Sequence, residues 1–435
     1  MKRRTKTLLT TLIALTITAI FIVGFLLAWD VFDFKGKLDK LFNTNFYATE
    51  EPLYISDVKI NLDSPRTSAL PTAERELIEN YFTCYYASLG GFYHENMSRF
   101  YDFQCIDEFI DDLALDFEII AAKNAAADYS FKECDLTVYL VTRRTTNEGT
   151  VELSFKVSAD VQYGFSVYKT TIADENHSFI VSTGDECLIK SHTSDRVSRK
   201  YAETVINDVI AEDGYVLSDL SYTYFYPYSE RTLKRFKDSN ISFSDSLNGM
   251  LTAEYEPKFT AEYEYNRKTA CDYARESEGH SAKFGSYDEN DTNFCSQSIF
   301  AAGIPMDAQG DKLTQWKWYS YDINNAREHS GCTLSWYDRE RFWTYAAENT
   351  GFGLVAEKNA GLLPGDIVQF TYYNKEDEKT EIALQCMVTE IVKDKNGNPV
   401  DYLVCTDKIK NKPLSLLWNG DIRTISIIGY NTANI

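Results

Sequence analysis

An uncharged, mostly apolar run from Leu8 to Ala28, preceded by Lys2, Arg3, Arg4 and Lys6, constrains this chain more than any other feature. At about 1.5 Å of rise per residue its 21 positions reach roughly 30 Å as a helix, the thickness of a bilayer core. A cleaved signal peptide is the alternative, but its apolar region is typically about 7–15 residues long and no A-x-A-like site follows Ala28. The run therefore reads as an uncleaved anchor. The positive flank keeps the N-terminus cytoplasmic and places the bulk of the chain outside a cell membrane crossed once.

The remainder must fold in water. A hydrophobic fraction of 44%, with 30 Tyr, 26 Phe and 6 Trp, is enough to build cores, and 435 residues exceed what one core usually serves. A net charge of −21 repels a phosphate backbone and argues against nucleic-acid binding. The nine cysteines are scattered singly with no C-x-x-C, so neither a zinc ribbon nor a dithiol redox site is expected, and no cofactor is called for.

The expected organisation is a tip and anchor over 1–29, a stalk over 30–70, an α+β unit over 71–214, a Tyr-rich connection over 215–256 and a second α+β unit over 257–435. In the first unit, Leu77, Ile78, Tyr81, Phe82, Tyr85 and Leu89 share one face of a helix between Pro71 and Gly90-Gly91. Shorter helices are expected over 106–115 and 117–127, and a further amphipathic helix over 197–210, ended by Gly214. The period then becomes two: Val151, Leu153, Phe155 and Val157 alternate with polar residues, and further strands are expected at 165–172, 177–182 and 187–191 with a turn at Asp174-Glu175-Asn176. His177 and His192 read as surface or turn histidines. Helix plus antiparallel meander resembles, in architecture alone, the cone-shaped SnoaL-like, nuclear-transport-factor-like or cystatin-like folds, which implies no activity.

In the second unit, Tyr265-Asn266-Arg267, Thr292-Asn293-Phe294 with Ser296-Gln297, Ala302-Gly303-Ile304-Pro305-Met306, Trp316 and Trp318, Ser335-Trp336 and Pro364-Gly365-Asp366-Ile367-Val368 occur in that order. This series resembles the bacterial "putative amidase domain" family, related to papain-like cysteine hydrolases of cell walls. The resemblance implies a helix opened by a nucleophilic Cys and a sheet that supplies a His. In this chain the nucleophile column of Asp-Cys-Thr-Asn-Phe-Val-Ser-Gln holds Asp291. The base column of His-Ser-x-x-Val falls on Leu384, and a later His-Thr-Asp element maps onto Cys405-Thr406-Asp407.

A carboxylate at a helix start suits an N-cap and makes a poor nucleophile, so the resemblance implies a catalytically silent unit that binds or scaffolds at the cell wall. The alternative is a working cysteine amidase or peptidase on cell-wall peptide, with Cys295, one turn after Asp291, as nucleophile and His280 or His329 as base. The expected partners are the membrane, through the N-terminal helix, and a cell-wall peptide or another membrane protein. Asp288-Glu289-Asn290-Asp291 fails as a calcium loop, because Asn293 and Ile299 stand where a Gly and a Glu are needed. Strands are expected at 367–372, 382–392, 400–406 and 424–430, with a hairpin turn at Lys395-Asn396-Gly397-Asn398 and a helix over 338–350.

Overall fold

A computed structural model of the chain describes residues 58–91, 100–102, 129–146, 149–184, 187–196, 245–253, 263–276, 290–307, 317–320, 331–348, 353–356, 361–374, 378–417 and 420–427, with positions 235, 238, 284 and 287. The Leu8–Ala28 run, the stalk up to residue 57, the helices expected over 106–115, 117–127 and 197–210, most of the Tyr-rich connection, His280 and His329 lie outside the described residues. No helix among the described residues is long and apolar enough to cross a membrane. The fold is mixed α+β, with two six-stranded sheets among the described residues.

In the first unit, helix α1 (Thr72–Gly91) starts where the Pro71 carbonyl accepts the Arg75 N–H. It buries Leu77, Ile78, Tyr81, Phe82, Tyr85 and Tyr86 against a sheet. Near its end it passes close to the sheet: a Cβ on Gly90 would lie 2.5 Å from the Phe131 ring. Strands β2 (Phe131–Thr145), β3 (Val151–Tyr163), β4 (Thr170–Val181) and β5 (Ile189–Ser194) form an antiparallel meander. A parallel edge strand, β1 (Lys59–Asp63), pairs with β2.

The alternation of β3 is as expected, with Val151, Leu153, Phe155 and Val157 buried. Other expectations need correction. β1 comes from the segment expected to be stalk. β2 is an additional strand: Cys134, Leu136, Val138 and Leu140 alternate inward, but register shifts between Phe131 and Cys134 and between Leu140 and Thr142 blur the period at its ends. Residues 165–169 lie between strands. Asp174-Glu175-Asn176 lies inside β4, where Asp174 takes a left-handed φ of 55° and donates its N–H to Ser158 Oγ at 3.0 Å. The register skips there, between Val157 and Ala159, so polar residues that resemble a turn make a bulge instead.

The second unit places helices α2 (Arg267–Glu276), α3 (Asp291–Ala301), α4 (Leu334–Tyr337) and α5 (Arg339–Glu348) with an antiparallel sheet. Its strands are β6 (Gly353–Ala356), β7 (Ile367–Asn374), β8 (Lys379–Lys393), β9 (Pro399–Cys405), β11 (Lys412–Pro413) and β12 (Asp421–Ile427), in the order β11-β9-β8-β7-β12-β6. The expected hairpin turn joins β8 to β9, with Gly397 at φ 88° and the Asp394 carboxylate accepting the Asn396 and Asn398 N–H groups.

Each face of this sheet belongs to a different core. Ile367, Met387, Cys405, Ile425 and Ile427 pack with Phe294, Cys295, Ile299 and Trp336 of the helices. Val368, Phe370, Cys386, Val388 and Val404 belong to the same cluster as Phe155, Phe179 and the α1 aromatics of the first unit. The two-residue strand β10 (Ile409–Lys410) then leaves the second unit to pair with Ile172 and Thr171 of β4. At Asn411, with φ 50°, the chain turns back into β11, a conformation that Asn tolerates better than most residues.

A buried carboxylate fixes this junction. Asp401 Oδ2 accepts the hydroxyls of Tyr129 and Ser415, both at 2.6 Å, and Oδ1 accepts the N–H groups of Tyr402 and Ser415. Burial and the Asp401 charge push the Tyr129 phenol far above its ordinary range, so it stays a donor. Tyr129→Phe is expected to cost about 1.5–3 kcal/mol, the value of a bond to a charged acceptor. Urea denaturation followed by fluorescence should show one transition moved as a whole, because the junction belongs to both units; two separated transitions would contradict a shared core.

Candidate functional site

Asp291, the residue expected at the nucleophile column, is the first residue of α3. Asn290 holds the N-cap position, and its Oδ1 accepts from Asn293 Nδ2 at 2.9 Å. Asp291 is 1% exposed and directs its carboxylate largely at the sheet. Oδ2 accepts the Gln385 N–H of β8 at 2.5 Å, Arg339 Nε of α5 lies 2.9 and 3.1 Å from the two oxygens, and Oδ1 accepts the Thr292 N–H at 2.8 Å. The cap expected of Asp291 is thus mainly a cross-link, which ties a helix start to a strand and to a second helix.

Arg339 also donates to the Ile382 carbonyl at 3.0 Å. Its own carbonyl accepts from Gln369 Nε2, which donates to Gln385 Oε1 as well, and Gln369 Oε1 accepts from Arg423 Nε at 2.7 Å. Most polar groups around the helix start are therefore occupied by one another, whereas Thr292 Oγ1 and Gln385 Nε2 are buried without a hydrogen-bond partner among the described residues. Arg339, Gln369 and Gln385 are absent from the sequence expectations, because a charged residue opening a helix and two glutamines in strands look the same in solvent as in a core.

Leu384 belongs to the core shared with the first unit, whereas Met387 packs with Cys295 on the helix side. By strand alternation Gln385 shares the side of Met387, and it is the Gln385 backbone that meets Asp291. Cys295 and Cys405 both lie in the helix-side core and are fully buried. Burial, reinforced by the Asp291 charge, pushes the Cys295 thiol well above its ordinary range, and burial raises Cys405 too. Cys405 Sγ accepts the Asn411 N–H at 3.2 Å.

Two charged groups from the β9–β11 segment complete the surroundings. Burial and the neighbouring Asp291 push Asp407 up to about 6. Lys410 donates to the Ala274 carbonyl at 2.8 Å and lies 4.4 Å from the centre of the Phe294 ring, with its pKa lowered by burial. Of the acidic run considered for calcium, Asn290 and Asp291 are committed to the bonds above, and Asp288 and Glu289 lie outside the described residues. Among the described residues, no group of three or more His, Cys, Asp or Glu is placed to hold a metal ion.

The residues that flank this column hold the helix. Trp336 Nε1 donates to Asn293 Oδ1 at 2.7 Å, Trp318 Nε1 donates to Ser296 Oγ at 3.0 Å, and Ser296 Oγ donates to the Trp336 carbonyl at 2.8 Å. The two indoles lie 4.7 Å apart. Tyr273 donates to Gln297 Oε1 at 2.8 Å. Tyr265 donates to the Gly365 carbonyl at 2.7 Å, and Arg267 grips Asp366 and the Pro364 and Ile427 carbonyls. Gly365, at φ 96°, leaves no comfortable room for a Cβ, which would stand 3.1 Å from the Tyr265 oxygen. A thiol at position 291 beside an imidazole would open acyl-transfer chemistry. The groups actually present form a static anion site filled by the chain's own carboxylate.

The first unit corrects one more expectation: His177 and His192 are 4% and 0% exposed, in the core beneath α1. Both are in phase with Phe179, which precedes Val181 inward on β4 and pairs with His192 across β5; the polar run before them hides that signal.

Residues 264–428, less than half of the chain, match the model of the family described as "Putative amidase domain". No curated protein and no solved structure matches the chain.

Proposed function

We propose that the second unit is a catalytically silent amidase-type domain, related in fold to papain-like hydrolases, that serves in binding or scaffolding at the cell wall. The observation that carries this reading is the state of Asp291: the residue in the nucleophile column is buried, and its oxygens are engaged by Arg339, Gln385 and Thr292. The catalytic columns in this reading are Asp291, Leu384 and Cys405, each substituted. General acid–base catalysis contributes about 10²–10⁴-fold and needs a titrating group beside the nucleophile. Leu384 cannot serve and Cys405 is a buried thiol whose pKa burial raises. The retained residues, from Tyr265 to Asp366, are the ones that build the fold, which is what a domain kept for its shape would retain.

Alkylation tests this reading directly. With the chain folded and iodoacetamide applied from pH 5 to 9, Cys295 should react more slowly than the partly exposed Cys84, Cys187 and Cys332, as judged by peptide mass spectrometry. Cys295 reacting fastest, with an apparent pKa below about 8.5, would restore the enzyme reading.

The anchor belongs to the same proposal. The Leu8–Ala28 run and its basic flank support a single crossing with the folded units outside the membrane and an extracytoplasmic partner, either a cell-wall peptide or another membrane protein. Protease added to intact, wall-stripped cells should remove an epitope at the C-terminus and spare one at the N-terminus; the opposite pattern would invert the topology.

A further inference from the structure

The first unit contains a run of polar groups, buried in its core from Tyr101 to His177 and ending at the partly exposed Glu175, that the amidase resemblance does not touch. His177 Nε2 lies 3.7 Å from Glu175 Oε2, His177 Nδ1 lies 3.0 Å from His192 Nε2, His192 Nδ1 lies 3.3 Å from the Tyr81 hydroxyl, and the Tyr101 hydroxyl lies 3.4 Å from that of Tyr81. The rings are fixed by aromatic contacts. Phe179 stacks on His192 at 4.1 Å, Phe82 meets His177 edge-on at 5.1 Å, and Tyr81 meets His192 edge-on at 5.5 Å.

The direction of these bonds follows from the end that cannot donate. Glu175 stands 3.7 Å from His177 Nε2, in ion-pair rather than hydrogen-bond range, and its negative charge favours the tautomer of a neutral His177 with the proton on Nε2, which leaves Nδ1 as an acceptor. His192 must then donate from Nε2, which makes its Nδ1 the acceptor for the Tyr81 O–H. Tyr81 oxygen accepts in turn from Tyr101. Tyr101, Tyr81 and His192 thus each give one proton in the direction of His177, whose Nε2–H faces the Glu175 charge.

The charges around this line come from several elements. From the segment after β5, Arg196 donates to the Tyr85 hydroxyl of α1 and to Ser194 Oγ, and its guanidinium stands 4.8 Å from the Tyr85 ring centre. Lys412 of β11 acts on Glu175 across the junction. Asp195 is bonded to Asn176 and Lys408, Lys190 to Asp102, Lys156 to Asp174, and Glu74 of α1 to Arg143. Burial works against the Glu175 carboxylate, but His177, Arg196 and Lys412 outweigh it and hold its pKa below the ordinary range.

We propose that Tyr101, Tyr81, His192, His177 and Glu175 form a buried proton wire that reverses with pH and gives the first unit a one-proton switch. On acidification one proton enters at Tyr101. The Tyr101 proton passes to Tyr81, the Tyr81 proton to His192 Nδ1, and the His192 Nε2 proton to His177 Nδ1; at each step one O–H or N–H bond breaks as the next forms. The charge comes to rest as a His177 imidazolium beside the Glu175 carboxylate. His192 is left neutral with its proton on Nδ1, and its bonds to His177 and Tyr81 both run the other way.

The test uses the full chain in detergent with ¹⁵N-labelled histidine. The chain has five histidines, and His94→Gln, His280→Gln and His329→Gln together leave only the core pair visible. Long-range ¹H–¹⁵N spectra at pH 7.5 should show two neutral imidazoles, both protonated at Nε2. Lowering the pH should produce one imidazolium and one Nδ1–H tautomer in a single step, with one proton taken up. A Nδ1–H tautomer at pH 7.5, or two independent titrations near the ordinary value of about 6.5, would overturn the proposal. Glu175→Gln should move the step down by about one pH unit, a tenfold weaker proton affinity, and an unmoved step would overturn it as well. If that variant does not fold, the spectra of the Glu175 chain decide alone.

Discussion

Replacing Arg339 by alanine is expected to lower stability by about 3–5 kcal/mol, the cost of leaving one partner of a buried ion pair behind. Asp291 is almost completely inaccessible, and Arg339 Nε reaches both of its oxygens. Without the guanidinium the carboxylate would keep two backbone N–H donors and remain a buried, uncompensated charge. Total stabilities of about 5–15 kcal/mol make a loss of this size severe. Asp291→Asn should cost less, about 1–2 kcal/mol, since its amide oxygen can still accept the Gln385 N–H and Arg339 keeps its bond to the Ile382 carbonyl. Combining the two substitutions should cost well under the sum of the single effects, because no charge is then stranded. Urea titrations of the four proteins give the cycle; strict additivity would mean that the pair does not lock the helix start, and with it the reading of a static site would fall.

On the proposed reading, this ion pair also explains how an amidase-type helix start could keep its place in the fold with a carboxylate where a thiol would stand. A helix N-terminus, a strand N–H and a cation converge there, and such a place favours negative charge whatever its chemical source. A thiolate would use that field for chemistry. A carboxylate uses it to cross-link α3, α5 and β8 permanently.

Much of the second unit was legible in the sequence, because its long strands carry clean periodicity and its Gly and Pro residues mark real turns. The motif residues were legible as a pattern but not in their roles. Arg267 and Asp366 lie 99 positions apart, and Trp336 and Asn293 lie 43 apart, so no local rule connects them. Arg339 looked like any solvated charge at a helix start. β10 has two residues, too short for any period, although it joins the two sheets. The histidine pair escaped for a different reason: burial of a polar side chain depends on the partner that satisfies it, and Tyr81 is 111 residues from His192.

The same dependence on partners makes Arg267→Ala a substitution whose cost should change with pH. Asp366 is fully buried, and burial pushes it up to about 6 against the pull of Arg267 Nη1 at 2.7 Å and the N–H groups of Leu363 and Ile427, both at 2.8 Å. A carboxyl whose folded pKa lies above its unfolded one holds its proton more tightly in the folded chain. Its contribution to stability is therefore full below about 4, falls as pH rises through about 6, and is lowest above that. Removing Arg267 takes away the cation that most opposes the shift, so the window should extend above 6. At pH 8 the variant must either bury a lone carboxylate or hold a proton against the solvent, at a cost of about 3–5 kcal/mol. At pH 5 Asp366 is largely protonated with or without Arg267. The bonds from Arg267 to the Pro364 and Ile427 carbonyls and to a neutral Asp366 carboxyl are then lost without stranding a charge, about 1–2 kcal/mol. Unfolding free energies at pH 5, 6.5 and 8 separate the cases: a penalty that grows with pH supports an electrostatic clamp on the Pro364-Gly365-Asp366 turn, and a constant penalty would reduce Arg267 to a packing residue.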